Sequence, residues 1–462
     1  MPKDPVPALL SQATERLEEQ FTSLPDFDSA LSPDTLAPVL DEVARRLGDN
    51  YPYFHPLYAG QMLKPPHPVA RAAYALAMTI NPNNHARDGG RASSEMEIEA
   101  VRQIAALFGW SEFLGHLTSS GTFANLEALW IAGQLAPGTR IVGSEQAHYT
   151  HQRISAVLKL DFTSIPTNRH GRMSLEALEA ELRHGDVGTV VVTMGTTAIG
   201  AVDPLDEILA LRQKYGFRVH VDAAYGGYFR LIPEALDSPA RRAYAVLDQA
   251  DSIVVDPHKH GLQPYGCGCI LFRDPSVGQF YKHDSPYTYF TSDKLHLGEI
   301  SLECSRAGAA AVALWATLRL LPLIPGGEFA RGLTRGRAAA VELDRRLRVD
   351  KGGRFQPLAG RPELDIVAWK INAERPERSS QLAQQIFAAC ALRDLHLALV
   401  ELPLAWFQPV VGAESASRSE AVTCLRSVLM KPDHEIWLDE IWNRLSAACA
   451  DVLGEKERWQ QK

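Results

Sequence analysis

The 462-residue sequence predicts an α/β protein. A mainly parallel central sheet is joined to a smaller C-terminal α+β domain and an N-terminal arm. Two observations predict the sheet. Apolar, β-branched runs without alternation at 189–194 and 252–255 read as strands buried on both faces. Helical patterns separate such runs, so strand and helix alternate from about 140 to 255, the pattern of a parallel doubly wound sheet. A third observation bears on function. Thr196, Thr197, Asp222, His258 and Lys259 follow directly on these strands, and topology brings strand ends of this kind to one edge. An acid or a lysine there is costly without a partner, so one shared site is the economical reading.

Composition narrows the class. Hydrophobic residues make up 46% and charged residues 22%, ordinary values for a soluble globular protein. A net charge of −8 argues against a nucleic-acid or membrane-surface role. No apolar run approaches the length of a membrane span, and the N-terminus lacks a signal peptide's apolar core. The cytoplasm is the expected compartment. Six scattered cysteines do not make a disulfide framework. Cys267 and Cys269 read as structural residues of an apolar strand.

Residues 1–75 form the expected arm. A helix is predicted over 9–21, with Leu9, Leu10, Leu17 and Phe21 on one face. The proline- and aromatic-rich stretch 51–60 suits a loop pinned on a partner subunit or a wall of a substrate pocket. The large domain is expected over 76–325. Its first helix starts near Arg91, with Ser93 or Ser94 as cap and Ile98, Val101, Ile104, Ala105 and Phe108 facing inward. Ser120, Gly121 and Thr122 stand at a helix start, where free amides, hydroxyls and the dipole suit a phosphate. Ordinary capping explains the same residues. A short strand at 140–142 precedes His148 and His151. Their i, i+3 spacing suits a metal, but no third ligand follows, so no metal is predicted and a structural role is the plain alternative.

A helix capped by Ser174 leads to the strand 189–194, then a helix over 205–211 and the strand 217–222. Asp222 ends that last strand, where it either meets a cation or caps a turn. Pro257 stops the strand 252–255, and Lys259 follows between His258 and His260, imidazoles expected to favour its neutral, nucleophilic form. After a strand at 268–273 comes a long polar loop at 278–303 and a helix over 307–320. Pro322 and the Pro325-Gly-Gly327 turn mark a boundary. The small domain, 326–462, is predicted to hold helices at 329–347, 381–392 and 433–453 and a strand at 365–371.

The run Asp256-Pro-His-Lys259 resembles the Schiff-base lysine motif of the group II pyridoxal-phosphate amino-acid decarboxylases. Together with Ser120-Gly-Thr122, His148 and Asp222-Ala-Ala224 in the same order, it makes the chain from about His55 onward similar to that family. The family includes aromatic-L-amino-acid, tyrosine and glutamate decarboxylases. Its fold is fold-type I, the aspartate-aminotransferase-like architecture. The resemblance implies pyridoxal 5′-phosphate as cofactor, with Lys259 as its Schiff-base lysine. Asp222 would pair with the protonated ring nitrogen, His148 would stack on the ring and act in catalysis, and Ala224 would lie on the opposite face. Ser120, Gly121, Thr122 and His258 would hold the phosphate, and Thr197 would lie near the 3′-oxygen. A loop tyrosine, Tyr287 or Tyr289 with Tyr287 favoured, would protonate the substrate carbon.

The implied reaction converts an L-amino acid to its amine and CO2 in a homodimer, acting on a small molecule and not on nucleic acid or membrane. His55, Tyr58 and Arg306 are the implied substrate residues. Tyr53, Phe54 and Tyr58 favour an aromatic substrate, although Arg or His there equally suits an acidic one. Carbon–carbon lyases and decarboxylating amine oxidases that use the same cofactor share these anchors. A scaffold without activity conflicts with the joint presence of Lys259 and Asp222. Two residues depart from many eukaryotic relatives: Asp256 stands in place of Asn, and His260 in place of an aromatic residue.

Overall fold

A computed structural model describes residues 4–25, 32–282, 296–407 and 420–454. Tyr287 and Tyr289 lie outside the described residues. The chain begins with helices α1 (Val6–Glu18), α2 (Pro33–Leu47), α3 (Pro68–Met78) and α4 (Arg91–Leu107). Neither α1 nor α2 buries a residue, and α2 was not anticipated. In α4 the cap is Gly90, not Ser93 or Ser94. Those serines lie inside the helix, where Ser93 Oγ bonds Asn84 Oδ1 at 2.5 Å. They are packing residues that only look like a cap.

Strands and helices then alternate: β1 (Leu114–Thr118), α5 (Gly121–Leu135), β2 (Arg140–Ser144), α6 (Thr150–Leu158), β3 (Phe162–Ile165), α7 (Leu175–Leu182), β4 (Val187–Thr193), α8 (Leu205–Tyr215), β5 (Arg218–Asp222), α9 (Ser238–Ala245), β6 (Ser252–Val255) and β7 (Gly268–Phe272). These seven strands form one sheet in the order β1-β7-β6-β5-β4-β2-β3. From β6 to β3 all neighbours are parallel, whereas β7 runs antiparallel to both β1 and β6. Every residue of β6 is buried, as is β4 from Gly188 onward, which explains their unbroken apolar runs. Asp222 is in register with Thr193 on one side and Val254 on the other. The turns after β4, β5 and β6 therefore emerge side by side at one edge.

Two strands of this sheet escaped the sequence pattern, as did β8 (Phe355–Pro357), β10 (Ala398–Pro403) and β11 (Ala421–Val428) of the C-terminal part. The four residues of β3 lie at the sheet edge and are mostly half-exposed. Strand β1 contains Gly115, whose absent side chain makes room for β7. A Cβ there would come within 2.5 Å of the Leu271 side chain and 2.8 Å of the Ile270 carbonyl.

Helix α10 (Gly308–Leu320) packs against α3 and α4. The remainder comprises α11 (Glu328–Arg348), β8 (Phe355–Pro357), β9 (Ile366–Ile371), α12 (Pro376–Ala391), β10 (Ala398–Pro403), β11 (Ala421–Val428) and α13 (His434–Leu453). The four strands make an antiparallel sheet, β10-β11-β9-β8. Leu343, Trp369, Ile386, Leu425 and Ile441 form its core with the helices. Leu57 and Ala59 join that core. The Ala59 amide bonds the His396 carbonyl, and the Val428 amide bonds the Ala59 carbonyl, at 2.9 and 2.8 Å. The aromatic segment is thus pinned on the C-terminal sheet of its own chain.

Candidate active site

At the carboxyl edge of the parallel strands lies a cavity of about 160 Å³. It is lined by Ser120, Gly121 and Thr122 from the start of α5, by Thr197 after β4, by Asp222 and Ala224 after β5, and by His258 and Lys259 after β6, with His148 closing it. The structure therefore brings together every residue expected to bind the cofactor.

Asp222 is buried yet fully served. Its Oδ2 accepts from His151 Nε2 at 2.8 Å and from Asn125 Nδ2 at 3.3 Å, and its Oδ1 accepts from the Ala224 amide at 3.1 Å. Burial opposes the charge, but the His151 hydrogen bond and charge, then Lys259, outweigh it and hold the carboxyl well below the usual range. A second tier fixes Asn125: His220 Nε2 donates to Asn125 Oδ1 at 2.8 Å, while His220 Nδ1 meets Ser252 Oγ at 2.9 Å. His151, read from sequence as a structural residue or a metal ligand, is the main partner of this acid. Among the described residues no group of three or more side chains suits a metal.

Lys259 departs from expectation. Its Nζ lies 2.9 Å from Asp256 Oδ2. Burial lowers the ammonium pKa, but Asp256 and then Asp222 overcome it, so the net shift is upward. The neighbouring imidazoles do not make this lysine neutral. His258 points Nδ1 at the Cys267 carbonyl, 2.7 Å away, and reaches the pocket through Nε2, 3.5 Å from Asp256 Oδ2. His260 faces away, against Asp365. Burial depresses the pKa of His148, and its Nδ1 meets Thr150 Oγ1 at 2.8 Å.

The helix start is built for an anion. Ser120 Oγ accepts from the Phe123 amide at 3.2 Å, which leaves the amides of Gly121 and Thr122 without an intrahelical acceptor. Gly121 is required by space, because a Cβ would lie 2.5 Å from both carboxylate oxygens of Asp256. Buried Asp256 Oδ1 itself has no hydrogen-bond partner among the described residues. Anion-binding amides, a carboxylate held ionised for a protonated ring nitrogen, and a lysine for an aldehyde form one donor set. Pyridoxal phosphate fits it.

The expected substrate residues lie elsewhere in this chain. His55 packs edge-on against Trp437 with centroids 4.8 Å apart. Tyr58 is buried among Tyr51, Tyr53 and His396. Arg306 is committed to Glu97 Oε1 at 2.7 Å and the Leu117 carbonyl at 2.6 Å. Another arginine stands nearer the pocket: buried Arg426 of β11 donates to the Thr197 carbonyl at 2.7 Å and to Gln61 Oε1 at 3.0 Å. Sequence reasoning missed it, since 229 residues separate it from Thr197 and only the packing of the two sheets joins them.

Comparison with known proteins gives consistent matches. A family model described as the pyridoxal-dependent decarboxylase conserved domain matches residues 132–324. An L-tyrosine decarboxylase of Enterococcus faecium is 30% identical over 399 residues, 63% of this chain and 65% of that protein. The chain thus spans slightly less than two thirds of that relative. A probable L-aspartate decarboxylase of Halobacterium salinarum is 30% identical over 266 residues, 56% of this chain and 70% of that protein. A probable L-tyrosine/L-aspartate decarboxylase of Methanothermobacter thermautotrophicus is 29% identical over 341 residues, covering 71% and 86%. Among solved structures, Catharanthus roseus tryptophan decarboxylase superposes with a TM-score of 0.72 at 16% identity, covering 96% of each chain.

Proposed function

The chain belongs to the pyridoxal-dependent decarboxylase family, and from that premise we propose that it decarboxylates an L-amino acid, an aromatic one by preference, to the amine and CO2. The observation that carries the reading is the convergence of Lys259, Asp222 and the α5 helix start on one cavity. The relatives' names supply the preference: L-tyrosine in the Enterococcus and Levilactobacillus proteins, tyrosine or aspartate in the archaeal ones.

Pyridoxal phosphate, when bound, supplies an electron sink for the pair left as the carboxylate departs. Ser120, Gly121, Thr122 and His258 would hold its phosphate, with His148 and Ala224 flanking the ring and Thr197 beside it. Asp222, kept ionised by His151, holds a proton at the ring nitrogen. Lys259 supplies the amine that anchors the cofactor and must first yield the proton that Asp256 favours. His148, neutral through burial, is able to accept or return a proton at the substrate side. Tyr287 is assigned the final proton delivery to the substrate carbon, with His55, Tyr58 and Arg306 as the residues to test for substrate recognition.

The active unit is proposed to be a homodimer. Helix α2 exposes Leu36, Val39, Leu40, Val43 and Leu47, an apolar face that one chain leaves uncovered. Among the described residues no helix is long and apolar enough to cross a membrane. Cys267, Cys269, Cys304, Cys390 and Cys424 are free thiols, which suits a reducing cytoplasm.

The test is direct detection of amine and CO2 after incubating the holoenzyme with each of the twenty amino acids. Amine from aromatic substrates is expected, reduced about a thousandfold or more in Lys259→Ala. An enzyme with bound cofactor that forms no amine from any of them would sink the proposal.

A further inference from the structure

A second cavity, of about 350 Å³, adjoins the cofactor site, and the proposed reaction does not use it. Its walls come from residues 64–68, from His260 and Leu262, from the start of α11, and from residues 430–433 at the head of α13. His260 forms the partition. It follows Lys259 in the chain, and its ring is flanked by Tyr225 and Phe229 at centroid distances of 4.7 and 5.1 Å. Tyr225 in turn lines the cofactor pocket.

The charges on these walls do not balance. Lys431 is only 4% exposed, and its Nζ donates to the Tyr58 carbonyl at 2.6 Å. Lys64 reaches the Met430 carbonyl at 3.4 Å. Among the described residues neither ammonium has a carboxylate within ion-pair distance. The carboxylates of the wall, Glu328 and Asp433, are exposed, and Glu328 is engaged by Arg331 and Arg335. Asp365 lies behind the partition, taken by Tyr225 Oη at 2.5 Å and facing His260 Nε2 at 3.3 Å; its charge acts on Lys64 and that of Asp433 on Lys431, and in neither case does it overcome burial. His67 adds a donor: its Nδ1 accepts from the Val69 amide at 3.2 Å, so its hydrogen sits on Nε2.

Buried cations are normally paired, because desolvation without a counter-charge is costly. We propose that this cavity binds a small oxyanion, held between the ammonium groups of Lys64 and Lys431 with His67 as a further donor. The volume takes one ion of sulfate, phosphate or short carboxylate size together with water. Burial pushes Lys64 down to about 8 and Lys431 down to about 7. A bound anion reverses that push, so binding takes up protons near pH 8. The anion also ties residues 64–67 to the head of α13, independently of which amino acid is the substrate.

The experiment is calorimetric titration of the holoenzyme, whose cofactor site is already filled, with sodium sulfate at ionic strength held constant by chloride. A parallel arm uses sodium acetate. One sulfate per chain is expected, with proton uptake at pH 8 revealed by changing the buffer. Affinity falls about tenfold or more in Lys64→Met and in Lys431→Met, since each loses a charge-assisted contact. Acetate binding with the same dependence on the lysines, in place of sulfate, supports the site and makes its ligand a carboxylate. A measurement on the parent protein guards against a misfolded variant: sulfate should slow acetylation of Lys64 and Lys431 by acetic anhydride, read from peptide masses. The site is refuted by no saturable binding of either anion. Binding that survives both substitutions and leaves both lysines equally reactive also refutes it.

Discussion

Lys259 and Asp256 form the pair that decides whether this site is ready for its cofactor. An amine attacks an aldehyde only as the free base, and Asp256 stabilises the ammonium form at 2.9 Å. Asp256→Asn keeps the shape and removes the charge, so the lysine pKa falls. Cofactor-free Asp256→Asn protein should take up pyridoxal phosphate faster at neutral pH, by about tenfold for each unit the pKa drops. Stopped-flow absorbance of the bound cofactor reads this directly, and uptake at the parent rate or slower contradicts it. Lys259 and Asp222 were legible in sequence because strongly polar side chains directly after buried strands need a chemical reason. The Lys259–Asp256 bond was not legible. The two are three positions apart, and the turn after β6 decides whether they face each other.

At the scale of one element, the start of α5 carries the anion chemistry, and its sequence signal was ambiguous for a physical reason. A serine cap and a phosphate cradle use the same amides. What separates them is Asp256 packed against Gly121, a contact between residues far apart in the chain. Gly121→Ala should normally help a helix by about 1 kcal/mol. Here the Cβ meets two carboxylate oxygens at 2.5 Å, and such overpacking costs about 1–3 kcal/mol. Gly121→Ala is therefore expected to lower the melting temperature, and Asp256→Ala combined with it to recover part of that loss. Additive effects of the two substitutions would show that they do not touch. The strands β1 and β3 went unread because a glycine and an edge position weaken the apolar pattern that marks β4 and β6.

Across the whole molecule, buried histidines set the response to acid. His434, at the head of α13, is fully buried. Burial and then Lys431 push it down to about 3 from an ordinary 6.5. Between these values the unfolded chain binds a proton at this residue that the folded chain does not. Acidification therefore favours unfolding, by at most about 1.4 kcal/mol per pH unit. His434→Asn removes that contribution, so the stability gap between parent and variant should narrow as pH falls from about 7 to about 4. Urea unfolding followed by fluorescence of the nearby Trp437 measures it, and a gap constant with pH contradicts the assignment.

The sequence by itself determined the mainly parallel α/β sheet, the edge at which the site lies, and the residue types that meet a phosphate, a ring nitrogen and an aldehyde. Each is a local property: an apolar run, a helix start, a reactive side chain after a strand. Tertiary structure alone decided the partners. His151 came to Asp222 and Arg426 to Thr197, the aromatic segment 51–60 settled on the C-terminal sheet of its own chain, and Lys64 and Lys431 came to share one cavity. Those contacts join residues up to hundreds of positions apart, and periodicity, which reports only neighbours along the chain, carries no record of them.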